Sequence, residues 1–489
     1  MWYNTGTMDN KLNVCLINDS FPPLIDGVAN TVVNYARIIN GELGSAAVAT
    51  PYYPDADDSR FEFPVVRFPS VDTTPLVGYR AGVPFSADII RELSDMDFDI
   101  IHSHCPVASS MLGRVLRDAI DKPLIFTYHT KFDIDIQNSL RGRLLQEGAT
   151  KMLVDNVAAS DEVWAVSEGA GKNLQSLGYE GDYIVMHNGV DFPKGRVDES
   201  IIRSVTEGYD LPEGVPVYMF VGRMMWYKGL RLILEALDKL KASGRDFRMV
   251  FIGGGADKNE IVLYAESLKL TDKVFFVDPI GDRDALRAWY CRADLFLFPS
   301  TFDTNGLVVR EAAACALPSV LVKNSCASED TKDWENSFWI DENKDSLFVL
   351  LAKLGNDIEL MDKIGKNAQD QLYLSWEDSV KIAYERYNIV LDRYKAGGYK
   401  KREAITDQFF TASADTIHSL IEIQNRRNRI FEQAKSNIRE ILSTIEGIEN
   451  TVAKTFERIK YANVMLEAGV RQKLEESREA LLKEIDRYK

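Results

Sequence analysis

The chain has 489 residues, 45% of them apolar and 27% charged, a composition that supports folded domains and excludes wholesale disorder. That length exceeds one ordinary core and leaves room for two domains and an appendage. A formal charge of −16, from 58 Lys and Arg against 74 Asp and Glu, excludes a general polyanion-binding surface, so no nucleic-acid partner is expected.

Residues 1–10 read as a polar leader without the pattern of an export signal, and no apolar run approaches the roughly 18 residues that cross a bilayer. Cys15, Cys105, Cys291, Cys315 and Cys326 are odd in number and show no Cys-x-x-Cys spacing, so neither a disulfide framework nor a zinc site is expected. A reducing cytoplasm fits these features.

Lys11–Asn18 is a short β-branched, apolar run, followed by the loop Phe21–Ala29 (FPPLIDGVA) and an amphipathic stretch from Ala29 to Ile39. Gly27 in that loop would let a ligand approach the backbone closely. Asp99–Ser103 and Leu124–Tyr128 read as buried strands, with a helix over Ser110–Ala119 between them. Each strand ends in imidazoles, at His102 and His104 and again at His129, which places these rings at the edge of a cleft. The segment Leu140–Val154 carries Arg141, Arg143 and Lys151 among apolar residues; it can rest on an anionic membrane or be a plain surface helix.

A second series of apolar runs follows at Val217–Val221, Met249–Ile252, Val274–Val277, Leu295–Phe298 and Ser319–Val322. Two successive series of alternating strands and helices predict an α/β protein with two Rossmann-like domains facing across a cleft, with ligand at the carboxyl ends of the strands. After Val221, the stretch Gly222-Arg223-Met-Met-Trp-Tyr-Lys228-Gly229 puts two cations in a strand-to-helix loop, where they could neutralise a diphosphate without a metal. Gly254 lies in a glycine triplet after the next strand. In FPSTFDTNGLVVREAAACALP, residues 298–318, Asp303 and Glu311 flank a turn through Asn305, Gly306, Leu307 and Val308 into a helix. Free amides at that helix start suit a diphosphate, and the two carboxylates suit the hydroxyls of a sugar and a ribose.

These motifs resemble those of retaining glycosyltransferases of family 4, over about Lys11 to Tyr394. The family motif usually begins with Glu where this chain has Asp303, and often has Gly where it has Ala316. The resemblance implies the GT-B fold and a bacterial hexosyltransferase taking a nucleoside diphosphate sugar, such as UDP-glucose, with no cofactor and no metal. In that reading His129 touches the transferred sugar, Arg223 and Lys228 meet the diphosphate, and Gly27, Gly222, Gly254, Asn305, Gly306, Leu307 and Val308 line the donor site. His104 would organise neighbouring loops and His102 would be structural. Ser167-Glu168 and His187–Asp191 resemble motifs near the interdomain hinge, and Asn188-Gly189 would supply a turn. Similarity to bacterial transferases that glycosylate diacylglycerol lipids implies a lipid acceptor, with a glycan as the alternative, and peripheral contact with the inner membrane face.

The expected domains are 1–193 for the acceptor, 194–375 for the donor, 376–398 as a closing helix returning to the first domain, and 399–489 as a helical tail. In the tail, Phe431, Ile438, Ile445, Val452, Ile459 and Leu466 repeat at heptad spacing, which predicts either a homo-oligomer or a helical hairpin. A scaffold or assembly subunit with a degenerate cleft, acting through this tail, is the alternative function.

Overall fold

The computed structural model describes residues 11–399 except 25, 75–79, 133–135, 137–142 and 305. The heptad tail, Arg141 and Asn305 lie outside the described residues. The described chain up to Gly82 and from Met96 onward forms one compact unit, while Val83–Asp95, built on helix Ala87–Ser94, is assigned to a second.

The first half holds strands β1 (Asn13–Ile17), β2 (Ser45–Pro51), β3 (Val65–Phe68), β6 (Ile100–Ser103), β7 (Leu124–Tyr128), β8 (Glu162–Ala165) and β9 (Ile184–Val185), with a small antiparallel pair, β4 (Ser70–Val71) and β5 (Ala81–Gly82), beside them. The seven pair in parallel in the order β3-β2-β1-β6-β7-β8-β9. The second half holds β10 (Val217–Val221), β11 (Arg248–Ile252), β12 (Val274–Val277), β13 (Leu295–Phe298), β14 (Ser319–Val322) and β15 (Phe338–Ile340), parallel in the order β12-β11-β10-β13-β14-β15. Each order reverses direction once, between β1 and β6 and between β10 and β13. At such a point the loops diverge and leave a crevice at the carboxyl edge.

Central strands such as β7 and β10 are buried at every residue, because helices cover both faces of a parallel sheet. The first covering helix, Gly27–Ile38, follows from local chemistry. Asp26 caps it by accepting from the amides of Val28 (2.9 Å) and Ala29 (2.7 Å), and Ala29, Val32, Tyr35 and Ala36 form its buried stripe.

Helix Trp376–Lys395 is packed into the core of the first half. Trp376, Val380, Ala383, Tyr384, Tyr387, Val390 and Leu391 lie with Val14, Leu16, Val32, Tyr35 and Trp164. Its polar groups are matched as well: the Tyr384 hydroxyl accepts from the Leu12 amide at 2.6 Å, and Arg386 donates twice to the buried Glu162 carboxylate at 2.8 and 2.6 Å. The chain crosses between halves twice, at Val190 and at Leu374, and the crossings are tied by a hydrogen bond from the Val190 amide to the Leu374 carbonyl at 3.0 Å.

Gly189 sits at that crossing outside any turn and without the left-handed φ that favours glycine, so its role differs from the turn expected of Asn188-Gly189. A Cβ there would lie 2.4 Å from the Trp376 amide nitrogen and 2.5 Å from the Ser375 carbonyl, both backbone atoms that cannot swing aside. Gly189→Ala should therefore destabilise the protein by about 1–3 kcal/mol in urea titration. Gly41→Ala, where nothing lies within 4 Å of the added carbon, should leave stability unchanged or raised; equal effects of the two substitutions would contradict the close-approach role.

Candidate active site

The loops after β10, β11 and β13 mesh backbone against backbone. Gly222, at φ +150, donates its amide to the Ile252 carbonyl at 3.1 Å, and the Met224 amide donates to the Gly254 carbonyl at 2.8 Å. Within the triplet, the glycines that the contact requires are the flanking ones: a Cβ on Gly253 would stand 2.1 Å from the Gly222 carbonyl oxygen, and one on Gly255 2.4 Å from that of Met224. Gly254, singled out from the sequence, has only the Pro279 ring nearby, at 3.2 Å. Gly229, at φ +79, starts helix Leu230–Ala242 and presses on the Pro299 carbonyl, which joins the first loop to the third.

That mesh fixes Lys228. The residue is 7% exposed in a 3₁₀ turn, its ammonium lies between the rings of Tyr227 and Phe302 at 5.7 and 5.6 Å, and Nζ donates to Asp303 Oδ1 at 2.5 Å. The second oxygen of Asp303 accepts from the Ser300 hydroxyl at 2.5 Å. A cation this far from water needs an anion beside it, and Asp303 is that anion. Arg223, five residues earlier, is exposed. The two cations therefore differ: one is held in place and one is at the surface of the crevice.

Three residues after Asp303, Gly306 takes φ +56 and begins helix Leu307–Ala314, so the free amides of the first turn, at Leu307 and Val308, open this helix beside the Lys228 pair. Glu311 projects inward on the same helix. Its Oε1 accepts from Arg283 at 2.6 Å and its Oε2 from the Tyr290 hydroxyl at 3.0 Å, and burial pushes its carboxyl above the usual range against the pull of Arg283. Arg283 in turn lies 3.8 Å from Asp191 and stacks on Phe192 at 4.4 Å. Neither Arg283 nor Tyr290 stands in a recognisable motif; only the fold brings them to Glu311. Past this helix, Ala316 adopts φ +57, a left-handed conformation that Gly would take without strain.

From the first half, His129 follows β7 and is 7% exposed, with Nε2 3.0 Å from Nδ1 of His104. His102 is fully enclosed, held by the Tyr387 hydroxyl at 2.6 Å and the Thr127 hydroxyl at 2.7 Å. Gly27 opens the first helix at an exposed position with nothing within 4 Å of a Cβ. The two halves meet around the motif loop: Thr304 donates its hydroxyl to the His129 carbonyl at 2.7 Å, Lys131 donates to the Thr301 carbonyl at 3.2 Å, and Ser167 donates to the Thr304 carbonyl at 2.5 Å. Glu329 accepts from the amides of Glu168 and Gly169, at 2.7 and 2.6 Å, at the start of helix Glu168–Ser176. The Asp303 loop thus joins His129 through the Thr304 contact. None of these hydrogen bonds runs to Gly27, on helix Gly27–Ile38.

The chain matches the family description "Glycosyltransferase Family 4" over residues 25–193 and "Glycosyl transferases group 1" over residues 204–371. An alpha-monoglucosyldiacylglycerol synthase of Acholeplasma laidlawii is 22% identical over 369 residues, covering 73% of this chain and 92% of that one. A D-inositol 3-phosphate glycosyltransferase of Xylanimonas cellulosilytica is 29% identical over 278 residues, 53% of this chain and 63% of that one. The structure of Anabaena Alr3699/HepE in complex with UDP superposes with a TM-score of 0.60 at 17% identity, over 78% of this chain and 100% of that one, which shows a shared fold.

Burial holds His102, His104 and His129 below the ordinary histidine value, His129 at about 3. The unfolded chain takes up protons on these rings as pH falls through about 6.5 while the folded protein does not, so stability is lost as pH falls through that window. Each ring contributes a slope of up to about 1.4 kcal/mol per pH unit. Buried carboxylates with raised values, such as Glu311, act in the opposite sense and are cancelled by comparison with a single-histidine variant. Urea unfolding of His104→Asn should show a shallower loss between about pH 7 and pH 5.5 than the parent; equal slopes would refute the account.

Proposed function

The chain belongs to the group 1, family 4 glycosyltransferases, and we propose that it moves a hexosyl group from a nucleoside diphosphate sugar, UDP-glucose or a close analogue, to a hydroxyl with the anomeric configuration kept. The observation that carries this reading is the Lys228–Asp303 pair set beside the start of helix Leu307–Ala314. Lys228 uses one of its three N–H bonds on Asp303 and has others for a phosphate oxygen, while Asp303 remains an acceptor for a sugar hydroxyl. Arg223 and the helix amides complete the neutralisation of a diphosphate, so the departing charge is met without a metal.

Glu311 keeps one lone pair on each oxygen beyond those given to Arg283 and Tyr290, and these suit ribose hydroxyls. His129, neutral through burial, touches the sugar as a hydrogen-bonding group with no part in carrying charge. No protein nucleophile is invoked. The acceptor oxygen forms its bond to the anomeric carbon on the face the diphosphate leaves, and its proton passes to a leaving phosphate oxygen. These groups act through position and preorganised charge.

For the acceptor we propose a membrane glycerolipid, supported by the synthase of Acholeplasma laidlawii and a second of that name from Streptococcus pneumoniae, 22% identical over 316 residues. Helix Arg143–Ala158 gives this no help: Arg143 pairs with Glu147 at 2.7 Å and Lys151 with Asp155 at 2.9 Å, so its described surface offers ion pairs in place of a basic strip. Among the described residues no helix is long and apolar enough to cross a membrane. Contact at the inner membrane face, and self-association through the heptad tail, stand as further proposals.

Release of nucleoside diphosphate from UDP-, GDP- and ADP-sugars, with diacylglycerol vesicles or a glycan mixture as acceptor, tests the reading. Release from one donor should rise with one acceptor class; no release from any donor would favour the scaffold alternative. Arg223→Ala and Lys228→Ala should each lower turnover by about 100-fold or more with the fold intact, and near-normal turnover in both would sink the assignment of the diphosphate site.

A further inference from the structure

His104 is 2% exposed, and one of its ring nitrogens is left over by the packing. Nδ1 lies 3.0 Å from Nε2 of His129, whereas Nε2 of His104 is buried with no hydrogen-bond partner among the described residues. The ring is enclosed by His102, with centroids 4.0 Å apart, and by the edge of Tyr35 at 5.6 Å. Burial keeps both His104 and His129 neutral, so each ring carries one proton.

Two arrangements of those protons are available. In the first, His129 donates from Nε2 to His104 Nδ1, which forces the His104 proton onto Nε2 and leaves an N–H buried without an acceptor. In the second, His104 donates from Nδ1 to His129 Nε2, and the leftover atom is a lone pair. An orphaned buried N–H is rarer and costlier than an under-used acceptor. The second arrangement therefore wins, and it places the proton of His129 on Nδ1. His129 keeps 7% of its surface, and its Nδ1 has no hydrogen-bond partner among the described residues, so that atom is left for a ligand.

We propose that His104 is a positioning residue that locks His129 in the Nδ1–H tautomer, so that His129 offers a neutral hydrogen-bond donor to a sugar hydroxyl in the cleft. The part concerning sugar rests on the placement of His129 against the transferred group; the tautomer does not. His102 is excluded from this role because both of its nitrogens are already engaged, by Tyr387 and Thr127.

The chain contains only five histidines, which makes an imidazole-¹⁵N spectrum of the full-length protein tractable. Without any ligand, His129 should show a protonated Nδ1 and an unprotonated Nε2, the reverse of the form favoured by histidine free in water. In His104→Leu the lock is gone and His129 should revert to Nε2–H, whereas His104→Asn, which keeps a donor near the position of Nδ1, should retain Nδ1–H. An unchanged His102 tautomer in both variants, held by Tyr387 and Thr127, establishes that the neighbouring packing survives. An Nε2–H tautomer in the parent protein overturns the proposal, as does an Nδ1–H tautomer that persists in His104→Leu.

Release of UDP from UDP-glucose supplies the second reading. Loss of the donor should lower kcat by about 10- to 100-fold in His104→Leu with little change in KM, and His104→Asn should restore most of it. If the tautomer responds as stated but kcat does not, the lock stands and the placement of His129 against the sugar is what fails.

Discussion

Two parallel sheets in one chain can share a crevice only if something holds them together, and here that is the return of helix Trp376–Lys395 into the core of the first half. A parallel sheet presents all its carboxyl-end loops along one edge, so a single sheet makes half of a site. The returning helix spans the difference by burying Trp376, Tyr384 and Tyr387 beneath β1 and β8 and by satisfying the polar groups it buries with them. Because the Tyr387 hydroxyl reaches His102, the anchor of the closing helix and the histidine cluster of the cleft are one continuous network.

Charge in the cleft is arranged in pairs. Lys228 with Asp303, Arg283 with Glu311 and Arg310 with Asp330 each match a cation to a carboxylate, and the imidazoles are neutral. Lys228, Glu311 and Arg310 are the enclosed members of these pairs, and each would be costly to bury without its partner. The pairing also means that the groups are oriented before a ligand arrives. Fixed donors that need no reorganisation stabilise a charge developing beside them more than mobile ones do. Arg223, exposed five residues before Lys228, stands outside this paired set.

Local sequence specified much of this. Val217–Val221, Leu295–Phe298, Ser319–Val322 and Leu124–Tyr128 are strands over the whole of the runs read from the sequence, since a strand covered on both faces is apolar along most of its length, and the half-exposed edge strand Val274–Val277 matches its run as well. The turn from Asp303 through Gly306 into a helix was readable too, because the required φ and the free amides are properties of adjacent residues. By contrast β2, with the sequence SAAVATP, and β8, EVWA, carry too little apolar bulk to announce themselves. They are strands because neighbours supply the pairing.

What the chain determined by itself, then, was the alternation that makes two doubly wound sheets and the residue types gathered at their loops. Its tertiary structure decided which groups meet. Arg283 reaches Glu311 across 28 residues, His104 reaches His129 across 25, and Gly253 and Gly255 press on the loop that starts at Gly222. The physical reason is the same in each case. Periodicity and turn chemistry act between near neighbours along the chain, whereas the pairing of a buried charge or the orientation of an imidazole is settled by whichever atoms the packing brings within hydrogen-bond reach.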